Sequence, residues 1–236
     1  MNNYYTLAMD QALAWIKANH EPTGILVSGS IIRGNPDASS DFDIYVIHDQ
    51  AFRQRIQKRF NGVPCEIFIN NAAQVLNYFK DEMRNNRPVT ANMIATGRLV
   101  LGENDPHIMA LVEDAKHYAY LANSLTDEQA TFQKYAIATL FEDATDTIVS
   151  NPSTSLYILE KAIAQSIEFL FAARQQPLPR IKERLNTLAS LEPAIGSLVK
   201  QYYQATDIMK KYELAKLIVL NVTENLGFFE WSTTPG

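Results

Sequence analysis

The chain has 236 residues, and its hydrophobic content of 47% suits an ordinary globular protein with one large domain or two smaller ones. Its 21 basic and 26 acidic residues give a net charge of −5, which argues against binding duplex DNA or anionic membranes through a basic surface. The single cysteine, Cys65, excludes an internal disulfide and a thiolate metal site, so we expect a reducing compartment, the cytoplasm.

The first segment has the pattern of an amphipathic helix. Apolar residues recur at helical spacing between residues 4 and 19, and the segment at residues 21–24 ends the pattern. This segment lacks the basic region and apolar core of a secretion signal. A later apolar segment is interrupted by Lys216 and is shorter than the roughly 20 residues of a membrane span. We therefore expect a soluble protein with no membrane partner.

Strand and helix patterns alternate in the first part of the chain. Apolar, β-prone runs predict strands at residues 24–28, 41–48, 63–69 and 98–102. Residues 51–60, rich in Arg, Gln and Lys, predict a helix between the second and third strands, and residues 71–84 predict another. This order is typical of a mixed α/β domain.

The remainder of the chain is helical in pattern. Helical spacing continues from about residue 106 to residue 226, with breaks at the Asn-Pro pair of residues 151–152 and at later prolines. Early strands and late helices predict an α+β protein, in which a small α/β domain with a mixed sheet precedes an all-helical bundle. We place the boundary between residues 104 and 105.

Two acids open the second predicted strand. Successive strand side chains point to opposite faces, so Asp41 and Asp43 share one face while Phe42 and Ile44 take the other. The two carboxylates lie about 7 Å apart along the backbone and can converge on one cation. Unpaired burial of such charges is costly, and a divalent ion removes this cost, so the pair implies a hard cation such as Mg²⁺.

A glycine turn follows the first predicted strand. Gly29 allows close approach of a ligand, and a short helix beginning in residues 30–34 would point free N–H groups and the Ser30 hydroxyl at an anion. Arg33 adds further donors. Glu66 on the third predicted strand would bring another carboxylate to the face of Asp41. A phosphate site beside paired carboxylates describes a nucleoside triphosphate site.

These residues resemble a known signature. Gly29-Ser30 followed by Asp41-Phe42-Asp43-Ile44, with Glu66 on a later strand, resembles the polymerase-β-like nucleotidyltransferase superfamily. The layout of the whole chain is similar to that of the small antibiotic nucleotidyltransferases, such as the kanamycin and streptomycin adenylyltransferases. The resemblance implies a catalytic domain at residues 1–104 and a helical acceptor-binding domain at residues 105–236.

The resemblance also implies an activity: transfer of a nucleoside monophosphate, usually AMP from ATP, to a hydroxyl of a small acceptor, with release of pyrophosphate. Asp41 and Asp43, together with Glu66, would hold two Mg²⁺ ions. Gly29 and Ser30 would hold the β and γ phosphates, and Arg33 and Ser40 are further candidates for nucleotide binding. A nucleotide-binding regulatory relative without catalysis, or transfer to a protein or RNA, are the alternatives.

The catalytic base has two candidates. Glu66 is the first, although it can instead serve as a metal ligand or pair with Arg33 in a structural role. The second is the acidic helix edge of Glu142, Asp143 and Asp146, which fall together by the three-to-four spacing rule. In the kanamycin-type enzymes a glutamate of the helical domain acts as base, and Glu142 or Asp143 has a comparable place in the chain. A solvated helix face is the simpler interpretation of these three acids.

The acidic edge of this helix also indicates which kind of acceptor the protein binds. Acidic side chains over the acceptor would attract an amine, so we expect a small hydroxylated acceptor that can carry positive charge. Because some kanamycin-type enzymes share sites between subunits, the resemblance leaves a homodimer open.

Overall fold

A mixed sheet organises the first part of the chain in the computed structural model, which describes residues 3–233. Its strands are β1 (Gly24–Ser28), β2 (Phe42–Ile47), β3 (Gln54–Phe60), β4 (Val63–Asn70) and β5 (Arg98–Leu101). They lie in the order β3-β4-β2-β1-β5. Strands β2 and β4 run parallel, and all other neighbours run antiparallel.

Helices cover both faces of this sheet. They are α1 (Asn3–Asn19), α2 (Ala72–Arg84), α3 (Val89–Thr96) and α4 (Pro106–Tyr120). Alternation along β2 explains the two layers: Ile44 and Val46 pack in a core with α1, whereas Tyr45 and Ile47 pack in a second core with the other three helices. The central strands are therefore apolar on both faces wherever a helix lies over them.

The later part of the chain is helical in every regular element that is described. Its helices are α5 (Asp127–Thr147), α6 (Pro152–Ala173), α7 (Arg184–Leu191), α8 (Pro193–Gln204) and α9 (Ile208–Thr223). They share one apolar core, in which Leu159, Ile163 and Ile218 are fully buried. Thr126 and Asn151 cap the starts of α5 and α6 with their side chains, and Asn151 belongs to the break predicted at residues 151–152.

The predicted fold class is confirmed: the protein is α+β, with a mixed sheet early and helices late. Two compact units follow one another, the first ending at Leu121 and the second beginning at Ala122. The functional boundary between residues 104 and 105 stays a prediction. Among the described residues, no helix combines the length and the apolar character needed to cross a bilayer.

The prediction of a helix at residues 51–60 is wrong, because residues 54–60 form strand β3. Asn61 and Gly62 have φ angles of 46° and 80°, as a tight hairpin turn requires, and this turn pairs β3 with β4. Arg, Gln and Lys favour helices by only a few tenths of a kcal/mol, which the hairpin easily overrides. The Asn-Gly pair is the sequence signal that identifies the hairpin.

Helix α3 is tied to α2 by one carboxylate. Pro88 provides no side-chain cap for α3, and Glu82 of α2 accepts hydrogen bonds of 2.7 Å from both the N–H and the hydroxyl of Thr90. Glu82, which lies outside α3, therefore accepts hydrogen bonds from donors in the first turn of α3.

We expect Glu82→Ala to lower the free energy of unfolding by about 1–3 kcal/mol, because it leaves the donors of the buried residue Thr90 without this acceptor. Urea unfolding measures this change. The control is Asp81→Ala, which removes an exposed ion pair with Arg84 and should cost less than about 0.5 kcal/mol. Equal losses for the two variants would contradict this role of Glu82.

Candidate functional site

Three carboxylates meet on one face of the sheet. Asp43 of β2 lies directly beside Glu66 of the parallel strand β4, with the two residues in register. Asp41 is two residues before Asp43, so its side chain shares that face. One carboxylate oxygen from each of the three residues lies within 4.8 Å of the others, and all three residues are half-buried.

This carboxylate triad, Asp41, Asp43 and Glu66, is electrostatically costly by itself. Two unit negative charges 4.8 Å apart repel each other by roughly 3 kcal/mol at an effective dielectric constant of about 20. A divalent cation turns the repulsion into attraction, and carboxylate oxygens are the ligands that hard cations prefer. The donor set thus fits a metal ion, and the triad can hold one.

The triad belongs to a polar row that crosses the sheet. Ser28 of β1 lies opposite Asp43, and Gln57 of β3 lies opposite Glu66. The Ser28 hydroxyl is buried and has no hydrogen-bond partner among the described residues. An unpaired buried hydroxyl is unfavourable in a packed core, so its place beside Asp43 is typical of a functional site.

Gly29 packs directly against the segment that carries the two aspartates. Its φ angle is +106°, and a Cβ atom there would lie 2.7 Å from the Asp41 carbonyl oxygen and 3.6 Å from Asp43 Oδ2. Glycine is therefore required twice, once for the left-handed backbone and once for the close approach. The turn after β1 and the start of β2 form one tightly packed unit.

We expect Gly29→Ala to destabilise the protein more than Gly34→Ala, by about 1–3 kcal/mol in the free energy of unfolding. Gly34 has a φ angle of +81°, and a Cβ atom there would have no neighbour within 4 Å, so its alanine variant carries the left-handed strain without the clash. Denaturant unfolding of the two variants isolates the packing contribution, and equal losses would show that the Asp41 contact is unimportant.

Residues 29–34 form a turn and not the predicted short helix. Arg33 N–H donates to the Gly29 carbonyl at 3.2 Å, Gly34 N–H to the Ile31 carbonyl at 3.3 Å and Asn35 N–H to the Ser30 carbonyl at 3.0 Å, so the bonds have three different spacings. The N–H groups of Ser30, Ile31 and Ile32 donate to no acceptor among the described residues. These three donors come directly after Gly29, where the sequence predicts an anion site. Arg33 lies exposed in the same turn.

A hydroxyl network closes the loop between the turn and β2. The hydroxyls of Ser30 and Ser40 lie 2.6 Å apart, and Ser40 Oγ also accepts a 2.7 Å bond from Asp37 N–H. Ser40 is buried. Both serines thus join the two ends of the loop that carries the aspartates, and their predicted contacts with a nucleotide stay predictions.

Glu66 is held by strand β3. Arg55 donates to Glu66 Oε1 through Nε at 2.5 Å and through a terminal nitrogen, and Gln57 Nε2 donates to the same oxygen at 3.1 Å. These contacts were not predicted from the sequence, because the composition of residues 51–60 favours a helix. Alternation along a strand places Arg55 and Gln57 on the face of Glu66 and is the signal that could have revealed them.

Cys65 lies on the other face of β4. It is buried in the core with α1, and burial, together with the nearby Asp41 charge, raises the pKa of its thiol to about 12. Because its side chain points away from the face of Glu66, Cys65 is not grouped with the carboxylate triad.

Comparison with known proteins identifies the fold. No family model matches the sequence, and no curated protein matches it. Among solved structures, a nucleotidyltransferase-like protein from Exiguobacterium sibiricum 255-15 matches with a TM-score of 0.53 and 11% sequence identity, over 92% of this chain and 73% of that chain. The chain has a nucleotidyltransferase-like fold. At this identity the likeness concerns the fold alone.

The remaining candidates, Glu142, Asp143 and Asp146, lie on α5 in the second compact unit. Glu142 is half-buried, and the other two are exposed. No lysine, arginine or histidine among the described residues forms an ion pair with any of them. Their part in a site shared with the triad stays a prediction.

Proposed function

We propose that this protein is a metal-dependent nucleotidyltransferase that moves a nucleoside monophosphate, AMP from ATP, to a hydroxyl group of a small molecule. The observation that carries the proposal is the convergence of Asp41, Asp43 and Glu66 to within 4.8 Å, next to the Gly29 turn. Transfer of phosphoryl-type groups depends mainly on positioning and charge neutralisation, which such a site provides. The nucleotidyltransferase-like fold of the solved structure supports the same reaction class.

The carboxylate triad would hold two Mg²⁺ ions, which when bound polarise the attacking and leaving oxygens. The register between β2 and β4 places Asp43 beside Glu66 through the backbone pairing of the two strands. Such fixed placement of the charged groups would favour rapid transfer.

The turn after β1 would bind the triphosphate. The N–H groups of Ser30, Ile31 and Ile32 are available as donors, and the left-handed backbone of Gly29 begins the turn that carries them. Arg33 would add positive charge at this end, and Ser30 and Ser40 would fix the loop and offer hydroxyl contacts. Pyrophosphate then leaves on the β1 side of the carboxylates.

The strand order supports one direction of attack for the acceptor hydroxyl. Glu66 on β4 lies on the opposite side of Asp43 from β1, and in-line displacement brings the nucleophile in opposite the leaving group. The acceptor hydroxyl would thus approach from the β4 side. Its oxygen forms a bond to the α-phosphorus as the bond from that phosphorus to the bridging oxygen of pyrophosphate breaks. The hydroxyl proton passes to a carboxylate, either Glu66 or an acid of α5.

We expect Asp43→Asn to reduce nucleotidyl transfer at least about 100-fold, because the charge stabilisation lost is several kcal/mol and each 1.36 kcal/mol is tenfold. The assay follows pyrophosphate release and labelled product from ATP and Mg²⁺ with a panel of antibiotics, polyols, proteins and tRNA. The variant should remain folded, since asparagine has nearly the same size and shape as aspartate. Unchanged turnover would overturn the catalytic role of Asp43.

The same panel separates the acceptor classes. Only the true acceptor leaves a labelled product, so product on an antibiotic or polyol supports the small-molecule proposal, while product on protein or tRNA replaces it. Absence of any nucleotide binding with Mg²⁺ would instead favour a regulatory protein without catalysis.

We expect Glu142→Ala and Asp143→Ala to raise the KM for the acceptor while ATP binding is unchanged, because these acids would attract a cationic acceptor. Asp127→Ala, at the exposed start of the same helix, is the control. Wild-type kinetics in both test variants would remove α5 from the mechanism and leave Glu66 as the base.

A further inference from the structure

The edge strand β3 contacts the carboxylate triad through one oxygen of Glu66. Arg55 and Gln57 both donate to Oε1, and no described residue is a partner of Oε2. A carboxylate with all its protein donors on one oxygen has a defined orientation, and its other oxygen remains available to a ligand.

The guanidinium of Arg55 is itself held in place. Its carbon lies 5.2 Å from the ring centroid of Phe68, which lies opposite Arg55 on β4. Phe68 in turn stacks on Tyr45 of β2, with ring centroids 5.5 Å apart. Arg55 is thus placed by the same sheet face that carries the triad, through an aromatic stack that reaches two strands away.

Stability alone does not explain this arrangement. The Arg55 side chain is 64% exposed, and ion pairs of such residues contribute little to the free energy of folding. The Glu66 side chain, in contrast, is only 16% exposed and lies beside Asp43. The contact therefore has more influence on the orientation of Glu66 than on the stability of the protein.

We propose that Arg55 is a positioning residue of the metal site: by occupying Oε1 of Glu66, it directs Oε2 towards the cation held by Asp41 and Asp43. The inference rests on the proposed function, since the cation is that of the transfer site. Groups that orient metal ligands in this way typically affect metal affinity by about 10–100-fold when they are removed.

An orienting role and a purely electrostatic role of Arg55 predict opposite changes in cation affinity when Arg55 is removed. If Arg55 acted only as a nearby positive charge, its removal would tighten cation binding, because a repulsive charge is lost. If Arg55 orients Glu66, its removal weakens cation binding. The sign of the change in affinity therefore separates the two roles.

The experiment is Mn²⁺ binding, measured by the paramagnetic resonance signal of free Mn²⁺, without any acceptor or turnover. We expect Arg55→Gln to weaken Mn²⁺ binding by about 10–100-fold. Arg59→Gln is the matched control: Arg59 lies on the same face of β3, and its side chain donates to the Gly62 carbonyl and to no described carboxylate. This control should bind Mn²⁺ as tightly as the wild type or slightly more tightly.

A second variant, Arg55→Lys, keeps the charge but loses the planar set of donors, so we expect its affinity to lie between those of the wild type and Arg55→Gln. Tighter or unchanged Mn²⁺ binding in Arg55→Gln overturns the positioning role. If thermal unfolding shows that Arg55→Gln does not fold, wild-type affinity in Arg55→Lys overturns it instead. Failure of the wild-type protein to bind Mn²⁺ is a different result, because it would overturn the proposed function itself.

Discussion

Mutual repulsion among three carboxylates is the constraint on which the arrangement of this site depends. Asp41, Asp43 and Glu66 approach within 4.8 Å of one another on one sheet face, where their charges repel one another and the ion pair of Glu66 with Arg55 offsets part of the cost. The apolar alternation of β2 and β4 compensates for this cost elsewhere, because Ile44, Val46 and their neighbours bury the other face against α1. The fold thus holds together charges that would separate in a free chain, as is common at functional sites.

The turn after β1 packs against the backbone segment that carries two of the three carboxylates. Gly29 packs against the Asp41 carbonyl, and the linked hydroxyls of Ser30 and Ser40 close the loop between the turn and the aspartates. The turn proposed to bind phosphate and the acids proposed to bind the cation are therefore parts of one packed unit. We therefore expect a substitution that displaces the turn to displace the aspartates as well.

Local signals in the amino-acid sequence were enough to predict much of the fold and part of the site. The Asp41-Phe42-Asp43-Ile44 alternation predicted two acids on one face, Gly29 predicted a turn, and helical spacing predicted the later helices. The α+β class followed from the order of these elements. Such predictions succeed because periodicity and turn chemistry act over a few residues and do not depend on distant parts of the chain.

The order of the strands in the sheet, in contrast, is decided by pairing between distant parts of the chain. The parallel pairing of β2 with β4 brings Glu66 beside Asp43, and the hairpin converts residues with helical propensity into the edge strand that carries Arg55. Helix-propensity differences of a few tenths of a kcal/mol per residue are smaller than the stabilisation from a full ladder of cross-strand hydrogen bonds and side-chain contacts. The contacts of Glu66 with Asp43 and Arg55 therefore depend on the tertiary structure, because the residues that make them belong to three different strands.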